Sequence, residues 1–313
     1  MAAVGTALSA LSRWAILRAA ESRRLRGLVE RHGMRLGAAR FVAGTTLDEC
    51  VAVLRSLNDA GLHANTTLLG EAIRDNAEIE QVVLEYERIL DRLVAEGLRA
   101  NLAVKLTQLG LALDEESAHA NVERLVRRAE KRGTFIRIDM EQSEHVDATL
   151  RVYERLRARG LTSVGTVLQS YLYRTPDDLE RLLPLEPNLR IVKGAYLEPT
   201  SIAHADKREV DTAYVRLVER GLRAGAYVAV ATHDERIIRH VLAFAEREGI
   251  ARDGFEFQML YGVRPALQRA LVAQSYKVLV ATPFGPDWFA YLMRRLAERP
   301  ANLLFLLRNL VRR

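Results

Sequence analysis

Arg294 and Arg295 stand side by side in the stretch YLMRRLAERPAN, shortly after a Gly285-Pro286 turn. Planar guanidinium groups grip a carboxylate through charge-assisted, bidentate hydrogen bonds. Adjacent helix residues point about 100° apart. The pair is therefore either a solvated helix edge or a clamp on an anion lying beneath the helix. Tyr291 and Glu298 fall on the face of Arg294 at helical spacing.

Further polar residues stand at the ends of apolar, β-branched runs. Lys105 lies at the end of NLAVKL, Asp139 closes TFIRID, and Gln169 closes SVGTVLQ. Arg190 and Val192 lie in LRIVKG, which runs on through Lys193 and Gly194 to Ala195 and Tyr196. Thr232 closes YVAVAT and precedes His233 and Asp234, while FEFQML supplies Glu256 and Gln258 and leads to Tyr261 and Arg264. A charge inside a strand is costly to bury unless it is paired or used. Lys105 and Asp139 either neutralise one another or act on a ligand. Gly194 and Ala195 are small enough to let a ligand approach the backbone, with Gln169, Arg190 and Lys193 as donors for an anionic cofactor. Plainer readings exist: Asp234 as a helix N-cap and His233 as a structural histidine. His233 and His240 have no third ligand nearby, which argues against a metal site. Lys105 and Lys193 also suit a Schiff-base aldolase. Outside the enzymes, the alternative is a barrel that only binds a partner or a membrane.

The elements that must position these residues alternate between two kinds. Eight short runs read as strands: 63–69, 101–106, 134–139, 163–169, 189–194, 227–232, 255–260 and 277–282. An additional strand near Ile73 would raise the count by one. Helical stretches lie between them, many closed by glycines (Gly61, Gly97, Gly133, Gly160, Gly225 and Gly249) in C-cap position. Such alternation in one domain predicts an α/β fold, a (β/α)8 TIM-type barrel. No strand ends in G-x-G-x-x-G, which disfavours a doubly wound sheet. In a barrel the active site forms at the C-terminal ends of the strands, where the polar residues above stand.

The chain has 313 residues, 49% of them hydrophobic, enough for one large core. Its 46 Lys+Arg against 40 Asp+Glu leave a formal charge of +6, and the arginines interleave with acids along helices as solvated faces do. No aromatic-basic array suggests nucleic acid. The single cysteine, Cys50, fits a cytoplasmic setting and reads as a small buried hydrophobe. Residues 1–40 form a basic amphipathic arm, ahead of a barrel over 41–313. The arm either packs on the barrel or makes a peripheral contact with the inner face of a membrane.

KLTQLG, IRIDME, VLQSYLYRT, LRIVKGAY, ATHD, FEFQMLYGVR and PFGPDWFAYLMRRLAERPAN occur in that order. Together they make the chain resemble the proline dehydrogenase family, closest to its short monofunctional bacterial type, over residues 40 to 305. The resemblance implies a distorted barrel holding FAD non-covalently, with the last helix over the flavin. It implies oxidation of L-proline to Δ1-pyrroline-5-carboxylate by hydride transfer from C5 to flavin N5, the first step of proline catabolism. Electrons would pass to a membrane quinone. It further implies that Arg294, Arg295 and Lys105 hold the substrate carboxylate, with Asp139 beside Lys105 and the flavin. Tyr261 with Leu260, Tyr196 and Tyr291 would line the proline pocket. Gln169, Arg190, Val192, Lys193, Gly194, Ala195, Thr232, His233 and Glu298 would contact FAD.

Overall fold

The computed structural model describes residues 38–70, 73 and 75–298, the side chains of 294–298 excepted. Of the arm expected over residues 1–40, only 38–40 falls among these. Eight strands form: β1 (His63–Leu68), β2 (Ala100–Val104), β3 (Ile136–Ile138), β4 (Val164–Gln169), β5 (Asn188–Val192), β6 (Tyr227–Ala231), β7 (Phe255–Leu260) and β8 (Val278–Phe284). All pair in parallel in chain order, and β8 returns to β1 to close the barrel. Every expected strand is present. The barrel closes without an additional one at Ile73.

The strand ends differ from expectation for local reasons. β5 stops at Val192 because Gly194 turns to φ 110°. β2 stops at Val104, and Lys105 instead precedes a 3₁₀ turn over Leu106–Leu109. β8 runs on through Pro283, where a strand normally stops for want of an N–H. Bonding groups in a parallel strand alternate between its two neighbours. The Ala281 carbonyl accepts from Tyr261 N on the β7 side, so Pro283 faces that side too, beyond the end of β7. No ladder donor is needed there.

Nine helices lie among the described residues: α1 (Leu47–Asp59), α2 (Asn76–Ala95), α3 (Glu115–Arg132), α4 (Val146–Ala158), α5 (Thr175–Leu182), α6 (Lys207–Arg223), α7 (Glu235–Arg247), α8 (Pro265–Ala273) and α9 (Trp288–Glu298). Their apolar residues recur at helical spacing, as in α2 with Ile79, Val83, Tyr86, Leu90 and Leu93 buried on the barrel. Thr46 and Glu49 form a capping box at the start of α1. The six expected C-terminal glycines all adopt positive φ, from 60° to 79°. None of these helices is long and apolar enough to cross a membrane.

Two placements shape the C-terminal end of the barrel. α1 packs against both β1 and β8 on the outer wall, where a regular barrel would put the helix that follows β8. α9 is thereby displaced, and Trp288, Phe289, Leu292 and Met293 form a separate small core with Ala38, Phe41, Val42 and Leu69. Leu69 directly follows β1, so this small core sits at the C-terminal ends of the strands.

Outside, ion pairs join each helix, or the residue that caps it, to the next from α1 to α8. They are Arg92–Asp48, Arg124–Glu87, Arg155–Glu116, Arg181–Glu154, Arg220–Glu180, Arg223–Glu248 and Arg264–Glu235. Several are two-pronged, such as Arg220 on both Glu180 oxygens at 2.7 Å. Each exposed pair contributes little alone.

The barrel interior is polar for its class. Arg137 of β3 is almost fully buried, its Nη1 donating to the carbonyls of Asn188 (2.7 Å) and Thr166 (2.9 Å). Burial, reinforced by the positive charge of Arg190, brings its pKa down to about 10. Gly165 makes room for it, since a Cβ there would lie 2.3 Å from Arg137 Nη1 and 2.4 Å from the Asn188 carbonyl. Gly165→Ala is therefore expected to destabilise the chain by about 1–3 kcal/mol through overpacking. Denaturant unfolding measures this, and an unchanged midpoint would show that the guanidinium is not fixed there.

Candidate active site

Asp139 follows β3 directly, and its N–H donates to the Val104 carbonyl at 2.9 Å, continuing the ladder with β2 by one step. Its carboxylate lies between two cations. One oxygen meets Lys105 Nζ at 3.4 Å and the other meets Arg190 Nη2. Burial pulls the carboxyl upward, but the Arg190 guanidinium and the Lys105 ammonium outweigh it and hold the pKa below the ordinary carboxylate range. Arg190, central in β5, reaches across the interior, with Nη1 also 3.3 Å from Asn65 Oδ1 of β1 and 3.4 Å from Gln258 Oε1 of β7. One guanidinium thus ties together β5, β3, β1 and β7. The three charges sum to +1, and the buried Arg137 lies one layer below.

A second set of contacts fixes the loops that carry these groups. Glu141, only 3% exposed, accepts from Thr107 N (3.1 Å) and Thr107 Oγ1 (2.6 Å). Its own carbonyl accepts from Gln169 Nε2 at 3.2 Å. The loops after β2 and β3 are thereby stapled to the end of β4.

Gln169 Oε1 and Arg190 Nε are both buried with no hydrogen-bond partner among the described residues. Buried polar groups are otherwise almost always satisfied. An acceptor-seeking N–H and a donor-seeking oxygen at one end of a barrel suit a ligand edge carrying both kinds of group, and an isoalloxazine ring has such an edge. The residues present fit a flavin.

Lys105, Asp139, Arg190 and Gln169 are thus brought together at the strand ends. Val192 lies two residues beyond Arg190, on the same face of β5. Lys193 alternates to the outer side and pairs with Asp211 of α6. Both lysines of a Schiff-base mechanism are therefore engaged in ion pairs, which disfavours an aldolase. Gly194 is needed for a reason internal to the chain, because a Cβ there would lie 2.3 Å from the Tyr171 ring. Ala195 is exposed and Tyr196 half-buried in the loop that follows. Thr232 is buried after β6, its N–H donating to the Gln258 carbonyl at 3.2 Å. His233 Nε2 accepts from Leu260 N at 2.9 Å, and its carbonyl accepts from Arg264 Nη1 at 3.0 Å, so it braces the start of α7 against the end of β7. Asp234 caps α7 through the Arg236 N–H at 3.0 Å, and the Arg236 guanidinium holds its pKa down to about 2. Tyr261 packs on the edge of the main core with the Cys50 thiol nearby, and burial pushes its phenol up. Tyr291 borders the small core under α9. Arg294, Arg295 and Glu298 belong to α9, but their side chains lie outside the described residues.

The sequence reading missed Asn65, Asn101 and Asn188 as interior partners. Asparagine is depleted in strands, so its presence in HANTTL, at the start of NLAVKL and at the start of β5 was the signal available. A cleft of about 430 Å³ opens at the opposite, N-terminal end of the barrel, lined among others by His63, Arg99, Phe135 and Lys277. It holds none of the residues assembled around Asp139.

The family model described as proline dehydrogenase matches residues 50–308. The chain is 41% identical over 306 residues to the proline dehydrogenase of Deinococcus radiodurans, covering 96% of this chain and 98% of that one. It is 39% identical over 293 residues to proline dehydrogenase 1 of Bacillus subtilis strain 168, covering 94% and 97%. Among solved structures, the proline utilization A protein of Bdellovibrio bacteriovorus inactivated by N-propargylglycine superposes with a TM-score of 0.80 at 24% identity. The match covers 86% of this chain but only 33% of that longer protein, and at that identity it speaks to the barrel alone.

Proposed function

The chain belongs to the proline dehydrogenase family, and from that premise we propose that its site binds FAD and oxidises L-proline to Δ1-pyrroline-5-carboxylate. The observation that carries this reading is the Lys105–Asp139–Arg190 group, a net-positive site beside the two unpartnered buried atoms of Gln169 and Arg190. FAD, when bound, would supply the hydride acceptor at N5 for the hydrogen on proline C5.

The chain's own residues do the rest. Lys105 binds the substrate carboxylate from the barrel side, and Arg294 and Arg295 bind it from the last helix. Asp139 orients Lys105 and keeps two cations from repelling one another. Tyr196, Tyr261 with Leu260, and Tyr291 line the ring pocket, while α9 excludes water. Gln169, Arg190, Val192, Lys193, Gly194, Ala195, Thr232, His233 and Glu298 hold the cofactor, and the positive charge of Arg190 favours its anionic reduced form. Asp139, held ionised by its cations, is a poor proton acceptor, so proline reacts from the fraction whose amine is already neutral. Electrons leave to a membrane quinone, reached from the cytoplasmic side by peripheral contact.

The test is anaerobic. After reconstitution with FAD, the purified protein is expected to be yellow, and its flavin band should bleach on addition of L-proline. A colourless protein that FAD does not restore, or a band that proline leaves unchanged, would overturn the reading.

A further inference from the structure

Residues 38–44 reach the catalytic end before α1 begins. Ala43 N donates to the Pro283 carbonyl at 2.8 Å, and the Gly44 carbonyl accepts from Gly285 N at 3.1 Å. Pro283 and Gly285 both face the side of β8 that β7 has left. This strap therefore takes the ladder position that β7 vacates. Farther back, Arg40 Nε lies 3.4 Å from the Gly262 carbonyl. The strap passes directly over that glycine, since a Cβ on Gly262 would lie 1.7 Å from the Arg40 carbonyl oxygen. Gly262 also has φ 73°, so it is suited twice over, by conformation and by the absent side chain.

The strap presents Ala38, Phe41 and Val42 to Trp288, Phe289, Leu292 and Met293 of α9. This small core stands apart from the main one, so α9 depends on the strap for much of its packing. Arg294 and Arg295 follow Met293 immediately.

We propose that the strap of residues 38–44, admitted by Gly262, is the element that positions α9 and with it the Arg294–Arg295 clamp on the substrate carboxylate. The proposal rests on the proline-oxidising reading above. It makes Gly262 and Phe41 positioning residues, whose loss loosens carboxylate recognition and spares the oxidation of the ring.

Pyrrolidine, which is proline without its carboxylate, separates those two effects. Gly262→Ala and Phe41→Ala should each raise the KM for proline about tenfold or more, the scale of one lost charged hydrogen bond. Their kcat/KM for pyrrolidine should stay near the wild-type value, with faster amide exchange over 38–46 and 288–293. Phe41→Leu is the milder probe if either variant does not fold, and it should move the proline KM in the same direction. An unchanged proline KM, or a parallel fall for proline and pyrrolidine, would overturn the proposal. If the wild-type protein itself leaves proline unoxidised, the underlying reading fails instead.

Discussion

Replacing Arg190 with methionine should lower the rate of proline oxidation by about 10²–10³-fold, the scale for losing one preorganised charge beside the reacting centre. Its guanidinium bonds to Asn65 of β1, Gln258 of β7 and Asp139 just after β3, so no neighbour can replace it. The change also reaches Asp139. Its carboxyl is now held below the ordinary range, so the stability it contributes is present above the unfolded carboxylate pKa and lost as pH falls through the lower folded value. Without Arg190 the upward pull of burial faces Lys105 alone, and the acid limb of both stability and activity should move to higher pH. Arg190→Lys keeps a charge but loses the fork and should recover part of the rate without restoring all three contacts. Stopped-flow flavin reduction by proline across pH measures both effects. A methionine variant within tenfold of the wild type, with an unmoved acid limb, would remove Arg190 from the chemistry.

The clamp gives the second large effect. Arg294→Met and Arg295→Met should each raise the proline KM by about ten- to 150-fold, since a charged hydrogen bond contributes about 1.5–3 kcal/mol. The flavin band should persist in both, because the loss falls on the substrate carboxylate. A variant with an unchanged KM would show that its arginine is a solvated helix charge, the plainer of the two readings its position allows.

The fold was legible because each strand is a short apolar or β-branched run between amphipathic helices, a contrast of period written into the chain itself. Strand ends were less so. Leu106 extends the apolar pattern of NLAVKL past Lys105, yet the chain turns at Lys105 into a 3₁₀ segment. Asp139 and Lys105 were visible as misplaced charges within strands, and the structure pairs them at 3.4 Å. Direction was harder. Lys193 and Arg190 look equivalent in LRIVKG, but an odd spacing sends one outward to Asp211 and the other inward to Asp139. The roles of Gly194 and Gly262 depend on a Tyr171 ring and an Arg40 carbonyl distant in sequence. No local pattern encodes such long-range approaches.

The chain of ion pairs around the outer wall has one break. It links α1 through α8 in turn, yet no ion pair among the described residues joins α8 back to α1. The molecule is therefore a split ring, and the gap coincides with β8, above which the strap and the last helix close by apolar contact. The two fastenings respond to different conditions. Salt screens the ring and leaves the clasp, whereas cold weakens apolar contacts, of which the clasp has far fewer than the barrel core. Cooling should accordingly loosen the last helix before it loosens the barrel.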